Sequence, residues 1–229
     1  MTPEQVKAIV GDTPCMSLDQ AKRMRAFIRR HRPRDVLELG FAHGVSTCYM
    51  AAALEEIGGG SVTTIDLESS LKRVPSIHDL LGQCGFADRV TVHFEPRSFT
   101  WRLMRMLEQP SSPMFDLVYL DGGHSWDVTG FGFFLVDKLL RDGGWLIFDD
   151  IDWTYATSPT LRDKPAVHEM PDDFRVTPQV RKVFELLVKQ HPDYRRCRVK
   201  RDWGYAQKRR RRPLWARLTG REGEQHSGF

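Results

Sequence analysis

The chain lacks the features that would place it in several large protein classes. Its four cysteines, Cys15, Cys48, Cys84 and Cys197, stand singly, and no C-x-x-C pair occurs. Neither a disulfide framework nor a zinc site is suggested, and all four are expected as free thiols. No apolar run approaches the length of a membrane span, and "MTPEQVKAIVGDTPC" lacks the charged-then-apolar order of a secretory signal. A cytoplasmic location is therefore expected. No internal repeat is visible. Cationic surplus is missing from most of the chain as well: of a net charge of +4, the stretch from Lys208 to Phe229 holds seven Lys or Arg against Glu222 and Glu224. Residues 1–207 are thus near neutral, and any argument for nucleic-acid binding from the overall charge concerns the tail alone.

What the chain does have is a regular alternation of strand and helix patterns. With 229 residues, 41% of them hydrophobic, it can bury one substantial core. "SLDQAKRMRAFIRRH" has apolar residues at helical spacing with Ser17 as N-cap, and it leads into the strand "DVLELG". A glycine-bearing turn and the helical run "STCYMAAALEEI" follow. Further strands are expected at 61–66 ("SVTTID"), 89–94 ("RVTVHF"), 115–121 ("FDLVYLD") and 143–150 ("GGWLIFDD"). Between them "SSLKRVPSIHDLLGQCG", "SFTWRLMRMLEQ" and "GFGFFLVDKLLRDG" read as crossover helices. Short apolar strands separated by helices predict an α/β fold, a doubly wound, mostly parallel sheet with helices on both faces. "QVRKVFELLVKQH" reads as a helix, and "YRRCRVKRDWGYAQKR" as two terminal strands turning near Asp202, added antiparallel at the sheet edge.

In open α/β sheets ligands bind beyond the carboxyl ends of the strands, and polar residues collect at those positions. In "ELGFAHG", Gly40 and Gly44 allow a tight turn with close backbone approach, and Glu38 sits at the strand end. The turn is not G-x-G-x-x-G, which weakens a nicotinamide reading. Asp66 lies where an acid would bind ribose hydroxyls. Asp121 and His124 follow the fourth strand, and "LIFDDIDW" crowds Asp149, Asp150 and Asp152 after the fifth. Neighbouring carboxylates resist ionising together unless a cation or a shared proton relieves them. Each signal has a plainer reading: a glycine turn is often only a turn, Asp149 and Asp150 could cap a following turn, and His124 could be a satisfied loop histidine.

Taken together, "VLELGFAHGVST", "TTID", "FDLVYLDGGHSW" and "GGWLIFDD" resemble the class I S-adenosylmethionine-dependent methyltransferases. Within them they are most similar to the metal-assisted small-molecule O-methyltransferases of the catechol and caffeoyl-CoA kind and their bacterial tailoring relatives. The resemblance implies that Glu38, Gly40, Ala42, Gly44 and Ser46 line the methionine and ribose side of S-adenosyl-L-methionine, that Asp66 holds the ribose hydroxyls, and that Ser98 lies beside the adenine. Asp121, at the end of strand four, is counted with the cofactor residues too. Ala42 departs from the family's commoner glycine. Asp121, Asp149 and Asp150 would converge on one divalent cation, with magnesium expected, and His124, in the place of the catechol enzymes' lysine, would act with Asp121 in catalysis as general base.

The domain organisation expected from this is one methyltransferase domain over 1–207, with a cofactor-binding core at 17–150 and a lid or acceptor loop at 152–178, followed by a flexible basic tail over 208–229. The partner expected is a small-molecule hydroxyl acceptor, such as a sugar or other secondary metabolite. Nucleic acid is not expected, peripheral membrane contact through the tail is compatible with its composition, and so is a homodimer. The rival readings are an RNA or protein methyltransferase guided by the tail, and a non-catalytic binding protein that keeps the fold.

Overall fold

The computed structural model describes residues 1–109 and 114–210. Seven strands form one sheet: β1 (Asp35–Leu39), β2 (Ser61–Leu67), β3 (Val90–Glu95), β4 (Phe115–Leu120), β5 (Leu140–Phe148), β6 (Tyr194–Lys200) and β7 (Trp203–Lys208). Their order is β3-β2-β1-β4-β5-β7-β6. The first five pair in parallel, whereas β7 runs antiparallel to both β5 and β6. The expected doubly wound sheet with an antiparallel edge is what the chain forms. Strand order reverses between β1 and β4, so the crevice beyond their carboxyl ends is the topological switch point.

Helices cover both faces. On one side α1 (Pro3–Val10), α2 (Leu18–His31), α3 (Val45–Glu56) and α4 (Ile77–Cys84) share a core with Val36, Val62 and Tyr119. On the other, α5 (Phe99–Leu107), α6 (Trp126–Leu139) and α9 (Gln179–Val183) enclose Leu37, Leu39, Phe133 and Phe148. Ser17 caps α2 as expected, in a reciprocal pair with Gln20. Helix α1 was not foreseen, although Thr2 and Gln5 form the same capping box around Pro3. It buries Val6 and Val10. Among the described residues no helix is long and apolar enough to cross a membrane.

Three boundaries differ from expectation for local reasons. The segment after β2 is not one helix: a 3-10 turn, Glu68–Lys72, stops before Pro75, and α4 restarts with Ser76 as its cap. Proline has no N–H to give and restricts the residue before it, so the helix cannot run through. Strand β5 begins at Leu140, three residues early, because Leu140 pairs with Phe115 while Arg141 reaches across to Asp35 at 2.6 Å and Asp116 at 3.1 Å. A register shift between Phe115 and Leu117 absorbs the extra residues. Beyond α9 the expected helix continues as a π-helical turn, Phe184–Val188. The loop 152–178 contains the short helices α7 (Pro165–His168) and α8 (Asp172–Val176). Of the basic tail, Lys208 closes β7, and 211–229 lie outside the described residues.

The sequence "FGFF" in α6 divides sharply. Phe133 is fully buried against Tyr194, with ring centroids 5.5 Å apart, whereas Phe131 is 57% exposed. Phe133→Ala should therefore cost about 3–5 kcal/mol of unfolding free energy, and Phe131→Ala less than about 0.5 kcal/mol. Urea denaturation of both variants measures this; equal losses would contradict the assigned helix face.

Candidate functional site

The glycine-bearing turn between β1 and α3 is built around one carboxylate. Asp66, at the end of β2, accepts hydrogen bonds from the backbone N–H groups of Phe41 at 3.0 Å and Ala42 at 2.7 Å. Gly40 adopts φ +89°, and a Cβ there would lie 2.5 Å from the carbonyl oxygen of Asp121, so the turn packs directly on the end of β4. Gly44 has φ +90° and seats Ile77 of α4 where its Cβ would be. Ala42 also lies in the left-handed region, at φ +51°. That conformation costs a non-glycine residue roughly 1 kcal/mol, and the two N–H bonds to Asp66 hold it in place.

Glu38 is fully buried at the centre of this arrangement. It accepts hydrogen bonds from the hydroxyls of Ser46, of Thr47 at 2.5 Å and of Thr64 at 2.7 Å. Loss of hydration pushes its carboxyl up to about 7, against the opposing pull of those three hydroxyls. The Ser46 hydroxyl is thus spent on Glu38. In front of them a cleft of about 150 Å³ opens between β1, β2 and β4, lined by Gly40, Asp66, Leu67, Arg97, Ser98 and Gly122. The structure therefore gathers Gly40, Asp66 and Ser98 around one opening, with Ser98 capping α5 through the Thr100 N–H at 3.2 Å.

The acidic group lies beside it. Ligand-capable atoms of Asp121, His124 and Asp150 all fall within 4.8 Å of one another. His124 Nε2 lies 3.5 Å from Asp121 and 3.7 Å from Asp150. That nitrogen is buried and has no hydrogen-bond partner among the described residues. Oxygen donors with an imidazole nitrogen left open fit a divalent cation. His124 and Asp150 both have positive φ, at +36° and +50°, a backbone strain that clusters at functional sites. Asp149 is not part of this group. Its carboxylate takes the Tyr119 hydroxyl on one oxygen and the Asp150 N–H, at 2.7 Å, on the other.

Charge is unbalanced here. Burial, reinforced by Asp149, Asp150 and Glu38, holds the Asp121 carboxyl far above the usual carboxylate range. Burial likewise pushes Asp149 up to about 7. It acts oppositely on His124, lowering its affinity for a proton, with Asp150 pulling the other way. Asp152 belongs elsewhere: it forms a two-pronged pair with Arg181 at 2.5 and 2.7 Å. Over the opening, Trp153 packs on His124 with centroids 5.1 Å apart, Tyr155 on Trp153 at 4.8 Å, and Phe174 on Tyr155 at 5.7 Å.

Sequence reasoning missed Tyr119, although the period of two places it on the face shared by Asp121. It also missed His43, whose Nδ1 lies 2.8 Å from the Pro75 carbonyl oxygen and whose Nε2 lies 3.4 Å from Arg73. No spacing signal links those residues.

The buried Glu38 makes a pH prediction. Its carboxyl is raised from an ordinary 4.5 to about 7, so between those values the folded chain keeps a proton that the unfolded chain has lost. Its contribution to stability is best below that window, falls as pH rises through it, and above it costs about 3 kcal/mol. Glu38→Gln should remove this dependence. Urea midpoints at pH 5 and 8 check it: the gap between wild type and variant should shift by that amount in the variant's favour, and a constant gap would contradict the assignment.

A family model described as a methyltransferase domain matches residues 37–151, half of the chain and the part that carries both groups of site residues. No curated protein matches the chain. Among solved structures it is similar to the O-methyltransferase TomG of Streptomyces achromogenes, a tomaymycin-synthesis protein solved with S-adenosylmethionine. That match has 22% identity and a TM-score of 0.62, over 90% of this chain and 89% of that one. An O-methyltransferase from Bacillus cereus, in complex with S-adenosylhomocysteine, matches at 20% identity and a TM-score of 0.64 over 90% of each chain. A Podospora anserina methyltransferase bound to S-adenosylhomocysteine matches at 18% identity and a TM-score of 0.62, over 91% of this chain and 87% of that one. These likenesses show a shared fold, and the match over strands one to five shows the family: the chain belongs to the methyltransferase-domain family.

Proposed function

We propose that the protein transfers the methyl group of S-adenosyl-L-methionine to a hydroxyl of a small molecule, assisted by a divalent cation, with magnesium the expected ion. The observation that carries this reading is the adjacency of two features at the switch point. One is the cleft lined by Gly40, Asp66 and Ser98; the other is the cluster of Asp121, His124 and Asp150. The cofactor-bound state of two of the structural relatives supports the first half.

Turn 40–44 and Asp66 would hold the cofactor's methionine and ribose, with Ser98 on the adenine side. Asp121 and Asp150 would hold the cation, and Asp149 would stand behind them, fixed by Tyr119 and the Asp150 N–H. When bound, the cofactor supplies the methyl group on its sulfonium and the cation supplies Lewis acidity and a fixed position for the acceptor oxygen. His124, kept neutral by burial, takes the acceptor's proton on its unoccupied Nε2. Trp153 and Tyr155 form an aromatic wall against the acceptor and exclude water from the proton transfer. The Asp152–Arg181 pair ties the start of that wall to α9.

This wall favours a compact acceptor over a polymer chain laid across an open surface.

Calorimetric titration with S-adenosylhomocysteine, with and without magnesium, tests both halves. One saturable site is expected for the nucleoside, and a separate magnesium heat that Asp150→Asn abolishes. Asp149→Asn should weaken magnesium by roughly 10- to 100-fold through the ligands it supports. Failure to bind S-adenosylhomocysteine would overturn the cofactor reading. Magnesium affinity unchanged in both variants would overturn the cation site alone.

A further inference from the structure

At the opposite end of the sheet, by the amino ends of β1 and β4 and the start of β5, lies a larger cleft of about 450 Å³. Its rim carries Arg30, Arg32, Arg34 and Arg210, all exposed. They come from two distant segments: the first three end α2 and lead into β1, while Arg210 follows β7. Arg210 lies across the β5 turn because position 143 is glycine; a Cβ there would be 3.0 Å from the Arg210 Nε.

Among the described residues, Arg30, Arg34 and Arg210 have no carboxylate in ion-pair range, and Arg32 donates only to the Ile57 carbonyl oxygen, at 2.7 Å. Of the two acids in the lining, Asp116 is taken by Arg141 and by the N–H groups of Arg34 and Asp35, and Asp142 has a partner of its own. The floor is aromatic: His31 packs on Phe27 at 4.4 Å and on Trp145 at 4.6 Å. His31 itself reports the local potential. Burial first, then the charges of Arg30, Arg198 and Arg196, lower its affinity for a proton. Gln207 adds an acceptor, for its Nε2 donates to the Gly143 carbonyl oxygen at 2.9 Å while its buried Oε1 has no partner among the described residues.

We infer that this cleft is a second binding site, taking a small ligand with two adjacent phosphate groups, such as the diphosphate of a phosphorylated metabolite. Guanidinium forks match phosphate oxygens two at a time. Four cations brought to one concave site from two separate segments fit a pair of phosphates better than a single oxyanion. The concavity and the scarcity of exposed apolar side chains on this rim favour a small ligand over a lipid surface, and the Gln207 oxygen suits a hydroxyl or amine carried by the same molecule.

The test is calorimetric titration of the full chain with pyrophosphate, repeated on Arg30→Gln and Arg34→Gln. Neither residue belongs to the proposed methyl-transfer machinery, so S-adenosylhomocysteine binding should be unchanged and serves as the folding control. The expected result is one saturable site that weakens by roughly tenfold in each variant and declines as salt rises. Absence of pyrophosphate binding overturns the inference. So does binding that both substitutions leave intact, which would assign it to the basic tail. Binding of oligouridylate or of phosphatidylserine vesicles without binding of pyrophosphate overturns it too, in favour of an extended polyanion.

Discussion

Four carboxyl groups share one end of one sheet, and most of the local structure follows from making that tolerable. Glu38, Asp121, Asp149 and Asp150 come from the ends of three adjacent strands, and three of the four are largely withdrawn from water. Like charges at low dielectric cannot all ionise without compensation. The chain meets this differently at each position. Glu38 is enclosed by three hydroxyls, Asp149 by one phenol and one N–H, and Asp121 and Asp150 face an imidazole nitrogen. Among the described residues only the last pair keeps oxygens that no hydrogen-bond donor takes, and the ligand-capable atoms therefore cluster there and not around Asp149.

Support for that pair reaches well beyond the strands that carry it. Ile151, directly after Asp150, donates its N–H to the carbonyl oxygen of Asp202 at 3.0 Å. Asp202 sits in the turn between β6 and β7 and is itself clamped by Gln20 at 2.8 Å and Arg23 at 2.7 Å from α2. Arg23 also lies over the ring of the buried Trp203, 4.3 Å from its centroid. The antiparallel edge is therefore more than a cover for the sheet: it fixes the positive-φ backbone of Asp150 from behind, while Arg181 fixes Asp152 from the side. Strain at a functional residue persists only where its surroundings over-determine it.

How far the sequence discloses this depends on range. The strands and the sheet class were legible because each is a short apolar run bounded by glycine or charge, a signal contained within a few residues. The positions of Gly40, Asp66, Asp121 and Asp150 followed from the rule that strand ends face the crevice. The division of labour between Asp149 and Asp150 was not legible, since both lie past the end of β5 where strand alternation no longer holds, and the Tyr119 hydroxyl that takes one Asp149 oxygen is thirty residues away. Pro75 was visible in the sequence, but the pattern around it was read as continuous. The early start of β5 depended on a bulge and on Arg141 reaching Asp35 and Asp116, which no local periodicity encodes.

The two ends of the sheet also differ in sign. Carboxyl groups gather beyond the carboxyl ends of β1, β2, β4 and β5, whereas the arginines Arg30, Arg32, Arg34 and Arg210 gather at the amino ends, where Arg141 is already matched by Asp35 and Asp116. Such a separation polarises the molecule although residues 1–207 are near neutral overall, and a field of this kind sorts ligands by charge before any contact forms. The sulfonium cofactor and the divalent cation proposed above would both be drawn toward the acidic end, and each would lower the cost of the carboxylates it meets. A phosphate-bearing ligand would be repelled there and drawn to the other end. Net charge conceals this entirely, because the two populations nearly cancel in the sum and act only where the fold has set them apart.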